Sequence, residues 1–384
     1  MTQNVINCLK KREINMRFNP GKFVKVNYFN ESMLTRLKVE KEILLDFVTP
    51  DDQVNRGSWN CDGTLLACGK KCTGVDIYTP FRNYNKLATV PIENNHNLAD
   101  VVFMPKTRNL MAVMSRNKNN LVFWNTSPDL PIDDYVKIWD VEKNSATRMY
   151  CLKEPVTKLV TCTALPYNIW FNTDNKVQTI AEADIRSPKY KTVKLGLLQH
   201  DKLVYRRCFD VHPVDEVTIA VGDRNRLLFY DRRTLTSQSF AQTVKSIDVS
   251  SINRTNSYIS EIRYNYCGSK IVFGNSSYDH YIVPVSDLFT TNIKGLPFKS
   301  LINTVSRNPK FLGHKYVLFD TFYKNYSVVF DLDEAKLIGK IKLSYQRNYF
   351  SNIFSIPHPI YCIIVIIYQD IINFITPTNT NHKK

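Results

Sequence analysis

The chain has 384 residues, 43% of them hydrophobic, which supports one large core or two ordinary ones and excludes a chain too polar to fold. Lys and Arg number 51 against 35 Asp and Glu, and the formal charge of +16 favours acidic partners, either nucleic acid or an acidic protein face. No dense basic block of the kind used by nucleic-acid arms is present, so a solvated, Lys-rich surface is the plainer account of that charge.

The N-terminus soon meets Lys10-Lys11-Arg12-Glu13 and lacks the apolar core of a secretory signal. Val5, Ile6, Leu9 and Ile14 share one side of a helical wheel, Asn19-Pro20-Gly21 breaks it, and Asn30 is a plausible N-cap for a second helix striped by Met33, Leu34 and Leu37. Residues 1–40 are therefore expected to form a short helix-loop-helix leader, with a frayed segment folded back on the core as the alternative.

From Lys41 onward short β-rich runs separated by turn chemistry replace the helical stripes. Trp59-Asn60-Cys61-Asp62-Gly63-Thr64-Leu65-Leu66-Ala67-Cys68-Gly69 reads as strand, Asp-Gly turn, strand, with Gly63 supplying the positive φ of the hairpin. Equivalent units end at Trp139-Asp140, at Asp184-Ile185-Arg186, and at Leu227-Leu228-Phe229-Tyr230-Asp231-Arg232-Arg233. Three more end near Asp287, at Phe330-Asp331 and in the last apolar runs. Their spacing matches a blade of four strands plus loop insertions, and a blade buries its faces only by stacking in a ring. Residues 43–47 are the natural outer strand of the last blade. The predicted architecture is all-β, a seven-bladed propeller over residues 41–377 followed by a disordered tail, 378–384.

Residues 115–134 and 234–256 are Asn-, Ser- or charge-rich and read as surface loops. Near the C-terminus, Ile360-Tyr361-Cys362-Ile363-Ile364-Val365-Ile366-Ile367-Tyr368 and Ile371-Ile372-Asn373-Phe374-Ile375 flank Gln369-Asp370. Each run is shorter than the ~20 residues of a spanning helix and is mainly β-branched, so two buried strands are expected and no membrane partner.

Catalytic and cofactor motifs do not emerge. There is no phosphate-cradling Gly loop, His-Glu-x-x-His or Gly-x-Ser-x-Gly element, and Cys61, Cys68 and Cys72 lack zinc-ligand spacing. No cofactor, no metal and no enzymatic activity are expected. The paired carboxylates Asp51-Asp52 and Asp133-Asp134 read as solvated loop charges. Scattered Cys and the absent signal point to a reducing compartment, nucleus and cytoplasm, with the Asn-x-Ser/Thr sequons chance matches.

The strand endings resemble WD repeats, and the Arg two places after the Asp resembles the signature of WD proteins that dock on the adaptor of cullin-4 ubiquitin ligases. The stretch Phe29-Asn30-Glu31-Ser32-Met33-Leu34-Thr35-Arg36-Leu37-Lys38-Val39-Glu40, the first blade, the fourth blade and Pro357-His358-Pro359 are similar, collinearly, to cullin-4-associated receptors related to the WD and tetratricopeptide repeats protein. Between Asp287 and Leu301 there is no room for a tetratricopeptide insert. The resemblance implies a non-enzymatic substrate receptor that meets the ligase adaptor through Tyr230, Asp231 and Arg233, with Asp184, Arg186, Ile6 and Leu9 as secondary contacts, and presents an unknown protein substrate. The alternative is a WD scaffold of an RNA, ribosome-biogenesis or chromatin complex, for which the +16 charge argues.

Overall fold

A computed structural model describes residues 31–44, 53–81, 84–93, 96–117, 134–152, 156–173, 179–195, 208–236, 241–250, 258–277, 279–286, 296–297, 306–313, 315–321, 326–334, 336–343, 353–360, 362–368 and 371–377. After one helical turn, α1 (Glu31–Leu34), these residues form seven four-stranded antiparallel sheets. The chain enters them through β1 (Leu37–Leu44). Blade 1 comprises β2 (Val54–Trp59), β3 (Leu66–Lys70), β4 (Gly74–Thr79) and β5 (Asn85–Pro91). Blade 2 comprises β6 (His96–Phe103), β7 (Leu110–Asn117), β8 (Asp134–Asp140) and β9 (Ser145–Leu152). Blade 3 is β10 (Val156–Thr161), β11 (Asn168–Thr173), β12 (Thr179–Asp184) and β13 (Tyr190–Lys194). Blade 4 is β14 (Phe209–Val211), β15 (Thr218–Asp223), β16 (Arg226–Asp231) and β17 (Lys245–Asp248). Blade 5 has β18 (Ile259–Tyr264), β19 (Lys270–Asn275), β20 (His280–Pro284) and the short β21 (Leu296–Pro297). Blade 6 has β22 (Ser306–Leu312), β23 (Tyr316–Thr321), β24 (Tyr326–Asp331) and β25 (Lys336–Lys342). Blade 7 joins β26 (Ile353–Pro357), β27 (Ile364–Tyr368) and β28 (Ile371–Pro377) to β1, its outermost strand. The molecule is a seven-bladed, all-β propeller closed by pairing its first strand with its last. No described helix is long and apolar enough to cross a membrane.

Below, the strands of each blade are a to d from the channel outward. Strands b and c are buried on both faces, which is why they read as continuous apolar runs: every residue of Ile364–Tyr368 is buried, and so are Leu227 to Tyr230. Seven apolar clusters result, one at each blade-to-blade seam. The seam of blades 7 and 1, for example, joins Ile356, Val365 and Phe374 to Trp59, Leu66 and Tyr78. Stacking removes both faces of a thin sheet from water, at roughly 25 cal/mol per Å² of apolar surface.

The strand assignments correct the leader. Ile6 and Leu9, expected on a first helix, lie outside the described residues, and the second expected helix is the single turn α1. Leu37, expected on a helical stripe, begins β1 and pairs with Pro377, while Val39 pairs with Ile375. Pairing with β28 gives the inner edge of β1 its backbone partners, and it closes the ring. Residues 234–256 are likewise not all loop, since Lys245–Asp248 is strand d of blade 4 with only Ile247 buried. Asp134 is no solvated charge. It is fully buried, and its two oxygens accept from Asn117 N (2.8 Å) and Val156 N (3.0 Å).

Two a–b turns show how neighbouring blades interlock. Gly63 and Gly268 adopt φ of +69° and +73°, and over each lies a histidine from the end of strand a in the preceding blade, His358 and His212. Ile360 N donates to His358 Nδ1 (3.0 Å), so Nε2 carries the proton and donates to Gly63 O (3.0 Å). A Cβ would fall 2.1 Å from the ring at Gly63 and 2.0 Å at Gly268.

Gly268→Ala should therefore lose about 2–4 kcal/mol of stability in urea unfolding, from a left-handed backbone and an overpacked ring together. Adding His212→Ala should recover the steric share and leave the backbone share. Deleting residues 1–44 should expose the whole β28 edge and bring aggregation and a broad thermal transition, whereas deleting residues 1–30 should leave the transition cooperative.

Candidate functional site: the c–d rim of blades 3 and 4, and the central channel

Strands a and c run the same way, so all a–b and c–d turns emerge on one face of the ring. On it, strand c of blades 3 and 4 ends in Asp184 and Asp231, whose carboxylates cap the turns that follow. Asp184 Oδ1 accepts from Arg186 N at 2.9 Å, and Asp231 Oδ1 accepts from Arg233 N at 2.8 Å. In blade 4 the cap starts a 3-10 turn, Arg232–Thr234.

The arginine that follows folds back on the same carboxylate. Arg186 Nε and NH2 donate to Asp184 at 2.9 and 2.6 Å, and Arg233 Nε and NH2 donate to Asp231 at 3.1 and 2.7 Å. The guanidinium beside each holds Asp184 and Asp231 below the usual carboxylate range. Both arginines remain 65–70% exposed, and each keeps three N–H donors beyond the fork that the Asp occupies. Arg186 also stacks 4.6 Å over the ring of Tyr167.

The expected contacts thus separate. Asp184, Arg186, Asp231 and Arg233 lie on the rim of adjacent blades. Tyr230 does not: it is 3% exposed and packs in the seam of blades 3 and 4 with Trp170 and Leu228, so it positions Asp231 from beneath instead of meeting a partner. Ile6 and Leu9 lie outside the described residues.

Arg232, the residue between Asp231 and Arg233, was not expected to act. Its NH2 reaches across to Glu182 of blade 3 (2.7 Å), and its Nε donates to the same carboxylate at 2.8 Å. Glu182 also accepts from Asn168 Nδ2 at 2.6 Å. This pair clamps together the two blades that present the arginines. Exposed apolar groups share their face: Tyr167, Val214 and Tyr266, on the a–b turns of blades 3, 4 and 5, are 40%, 60% and 51% exposed.

The channel at the ring's centre is a cavity of about 760 Å³ lined chiefly by strand-a residues, with Cys208 from blade 4 beside its strand a. Its side chains serve the free inner edges of those strands. Leu159 N donates to Asp100 of the preceding blade (2.9 Å), Tyr264 N to Asp210 (2.8 Å), Phe103 N to Ser58 Oγ (3.1 Å) and Ser355 N to Asp320 (3.1 Å). Cations serve the carbonyls: Arg56 Nε donates to Ala99 O (3.1 Å), Lys158 Nζ to Phe209 O (2.8 Å) and Lys310 Nζ to Ser355 O.

Burial, with Arg263 and Arg56 nearby, draws the Lys310 ammonium down to about 8, and burial with Arg263 lowers that of Lys158. Burial also pushes the Cys208 thiol on the channel wall up to about 12, so it stays protonated at neutral pH. Among the described residues no group of three His, Cys, Asp or Glu could hold a metal ion. The channel cations escaped the sequence reading. Their only signal is a charge inside an apolar run, as in Val156-Thr157-Lys158-Leu159-Val160.

No family model matches the chain, and no curated protein matches it. Solved structures do. The chain is similar to the β-propeller domain of Cps50 (Swd1) from Myceliophteria thermophila, with a TM-score of 0.65 and 14% identity, covering 88% of this chain and 100% of that one. It is similar to a chain of the mitotic checkpoint complex, with a TM-score of 0.60 and 13% identity over 89% and 92% of the two chains. It also resembles Raptor from Chaetomium thermophilum, with a TM-score of 0.59 and 10% identity over 91% of this chain and 29% of that one. At such identities the likeness establishes the fold, a seven-bladed β-propeller, and nothing finer.

Proposed function

We propose that this propeller is a non-enzymatic protein-interaction scaffold, and more specifically a substrate receptor that docks on the adaptor of a cullin-4 RING ubiquitin ligase and presents a protein target. The observation that carries the reading is the pair of Asp–Arg forks on the exposed rims of two consecutive blades, clamped by Glu182 and Arg232. Each carboxylate fixes its guanidinium before any partner arrives, which lowers the entropy cost of contact. The free N–H groups then meet carbonyls or carboxylates, and Arg beside exposed Tyr is the composition in which interface energy concentrates. Tyr167, Val214 and Tyr266 supply apolar area on the same face. Leader contacts through Ile6 and Leu9 belong to this reading as well.

A second reading is favoured by the formal charge of +16: a scaffold of an RNA, ribosome-biogenesis or chromatin assembly. It requires binding to nucleic acid that falls steeply with salt, without recovery of the adaptor.

Affinity purification of the full chain should recover the ligase adaptor, and Arg233→Ala should weaken a direct titration roughly 5- to 30-fold, the range of an interface hot spot. Arg186→Ala should weaken it less, because Tyr167 already holds that side chain. A leader contribution is tested by removing residues 1–30 and not beyond, since β1 closes blade 7. Full adaptor binding by the Arg186→Ala/Arg233→Ala protein would rule out docking through these rims.

A further inference from the structure

The channel holds positive charge that rim docking does not use. Arg56, Lys158, Arg263 and Lys310 line it from blades 1, 3, 5 and 6, and Asp100 and Glu261 are the acids on the same wall. Asp210 and Asp320 are buried behind that wall. The acids that serve strand edges are committed. Asp100 accepts from Val101 N (3.0 Å) and Leu159 N (2.9 Å) and faces Arg56 at 3.7 Å. Asp210 accepts from Val211 N (3.1 Å) and Tyr264 N (2.8 Å), and Asp320 from Ser355 and Ser327. Glu261 is also engaged.

Three of the four cations give one donor to a backbone carbonyl of the next blade. An ammonium has three N–H groups, so Lys158 and Lys310 each keep donors beyond that bond. Arg263 differs from the other three. It is half-buried on the channel wall, and among the described residues it makes no hydrogen bond or ion pair, although its charge reaches both Lys158 and Lys310. Like charges crowded into a narrow, partly desolvated space repel more strongly than on an open surface, and a bound anion removes that cost.

We propose that the central channel is a binding site for a small multivalent phosphoanion, gripped by the Arg263 guanidinium with Arg56, Lys158 and Lys310 around it. The planar fork of Arg matches two phosphate oxygens, while the lysines act as point charges. The neutral wall groups Ser58 and Ser260 already donate to Trp59 O and Gly274 O, and Asn275 donates to Asp279, so the cations carry the grip, and about 760 Å³ admits an anion of pyrophosphate size with its waters. This site is independent of the rim and of any ligase adaptor.

The test titrates the full chain with inorganic pyrophosphate by calorimetry at fixed pH, with sodium chloride at matched ionic strength as the control and thermal unfolding as a second readout. Saturable binding to one site per chain is expected, with a thermal midpoint that rises and levels off. Arg263→Gln should weaken binding at least tenfold, Arg263→Lys several-fold, and the rim variant Arg233→Gln not at all. Circular dichroism of each variant without anion shows whether it is folded, and Arg263→Lys decides if Arg263→Gln is not. The proposal is overturned by non-saturable stabilisation that sodium chloride reproduces, or by affinity within twofold of the parent in the folded Arg263 variants.

Discussion

Every blade turns the free edge of its innermost strand toward the channel, and the ring depends on how those backbone groups find partners. An unpaired strand edge invites pairing with other chains, and a buried unpaired amide or carbonyl costs free energy. Here the preceding blade supplies the partners. Carboxylates and Ser58 accept from the amides, and arginines and lysines donate to the carbonyls. Ser355 takes both kinds from blade 6 at once, its amide on Asp320 and its carbonyl on Lys310. Apolar packing holds the blades face to face, while these directional bonds fix their register. Much of the channel's charge is thus a requirement of the fold, and Arg263 is notable because no strand edge accounts for it.

The same economy governs the rim. An Asp closes strand c in blades 2, 3, 4 and 6 and accepts the backbone amide two residues on: Asp140 from Glu142, Asp184 from Arg186, Asp231 from Arg233 and Asp331 from Asp333. The Asp therefore belongs to the turn, and the residue two places later is where blades differ. It is Arg in blades 3 and 4 and acidic in blades 2 and 6, and those acids are occupied by Asn109 and Lys270. At this position the four turns change sign, with the two arginines on the blades that Glu182 and Arg232 tie together. A partner reading this face meets a directional pattern and not a uniformly basic surface.

How much of this was legible in the sequence follows from burial. Strands b and c are buried on both faces and announce themselves as apolar runs, so seven units and their order could be counted from the chain. Outer strands bury one side only. Lys245–Asp248 shows a single inward residue, Ile247, and was indistinguishable from loop, while Leu37 fitted a helical stripe with Met33 and Leu34 until β28 supplied its partner. Asp-x-Arg was visible because its members are adjacent in the chain. The Glu182–Arg232 clamp, the His212–Gly268 contact and the channel cations were not, because only the stacking of consecutive blades brings together residues some 43 to 56 positions apart. Tyr230 fell between these cases: adjacency to Asp231 suggested a contact residue, but period-two geometry turns it inward.

Ring closure also constrains any partner that meets both the leader and the arginines. Strand d of blade 7 begins at Leu37, opposite Pro377 at the end of strand c, so α1 emerges on the face that carries the c–d turns. Leu34 anchors α1 among Leu312, Tyr316 and Ile353 at the seam of blades 6 and 7. In a ring of seven, blades 3 and 4 each stand three steps from blade 7. Helix α1 and the Arg rims therefore share a face but lie across it from one another, with the mouth of the channel between them. A single partner touching both must span that mouth, which would shut the channel on this side and oppose exchange of anything bound within. Contact with the rims alone would leave the mouth open. The two sites, independent in their chemistry, are thus coupled or uncoupled by how far one partner reaches.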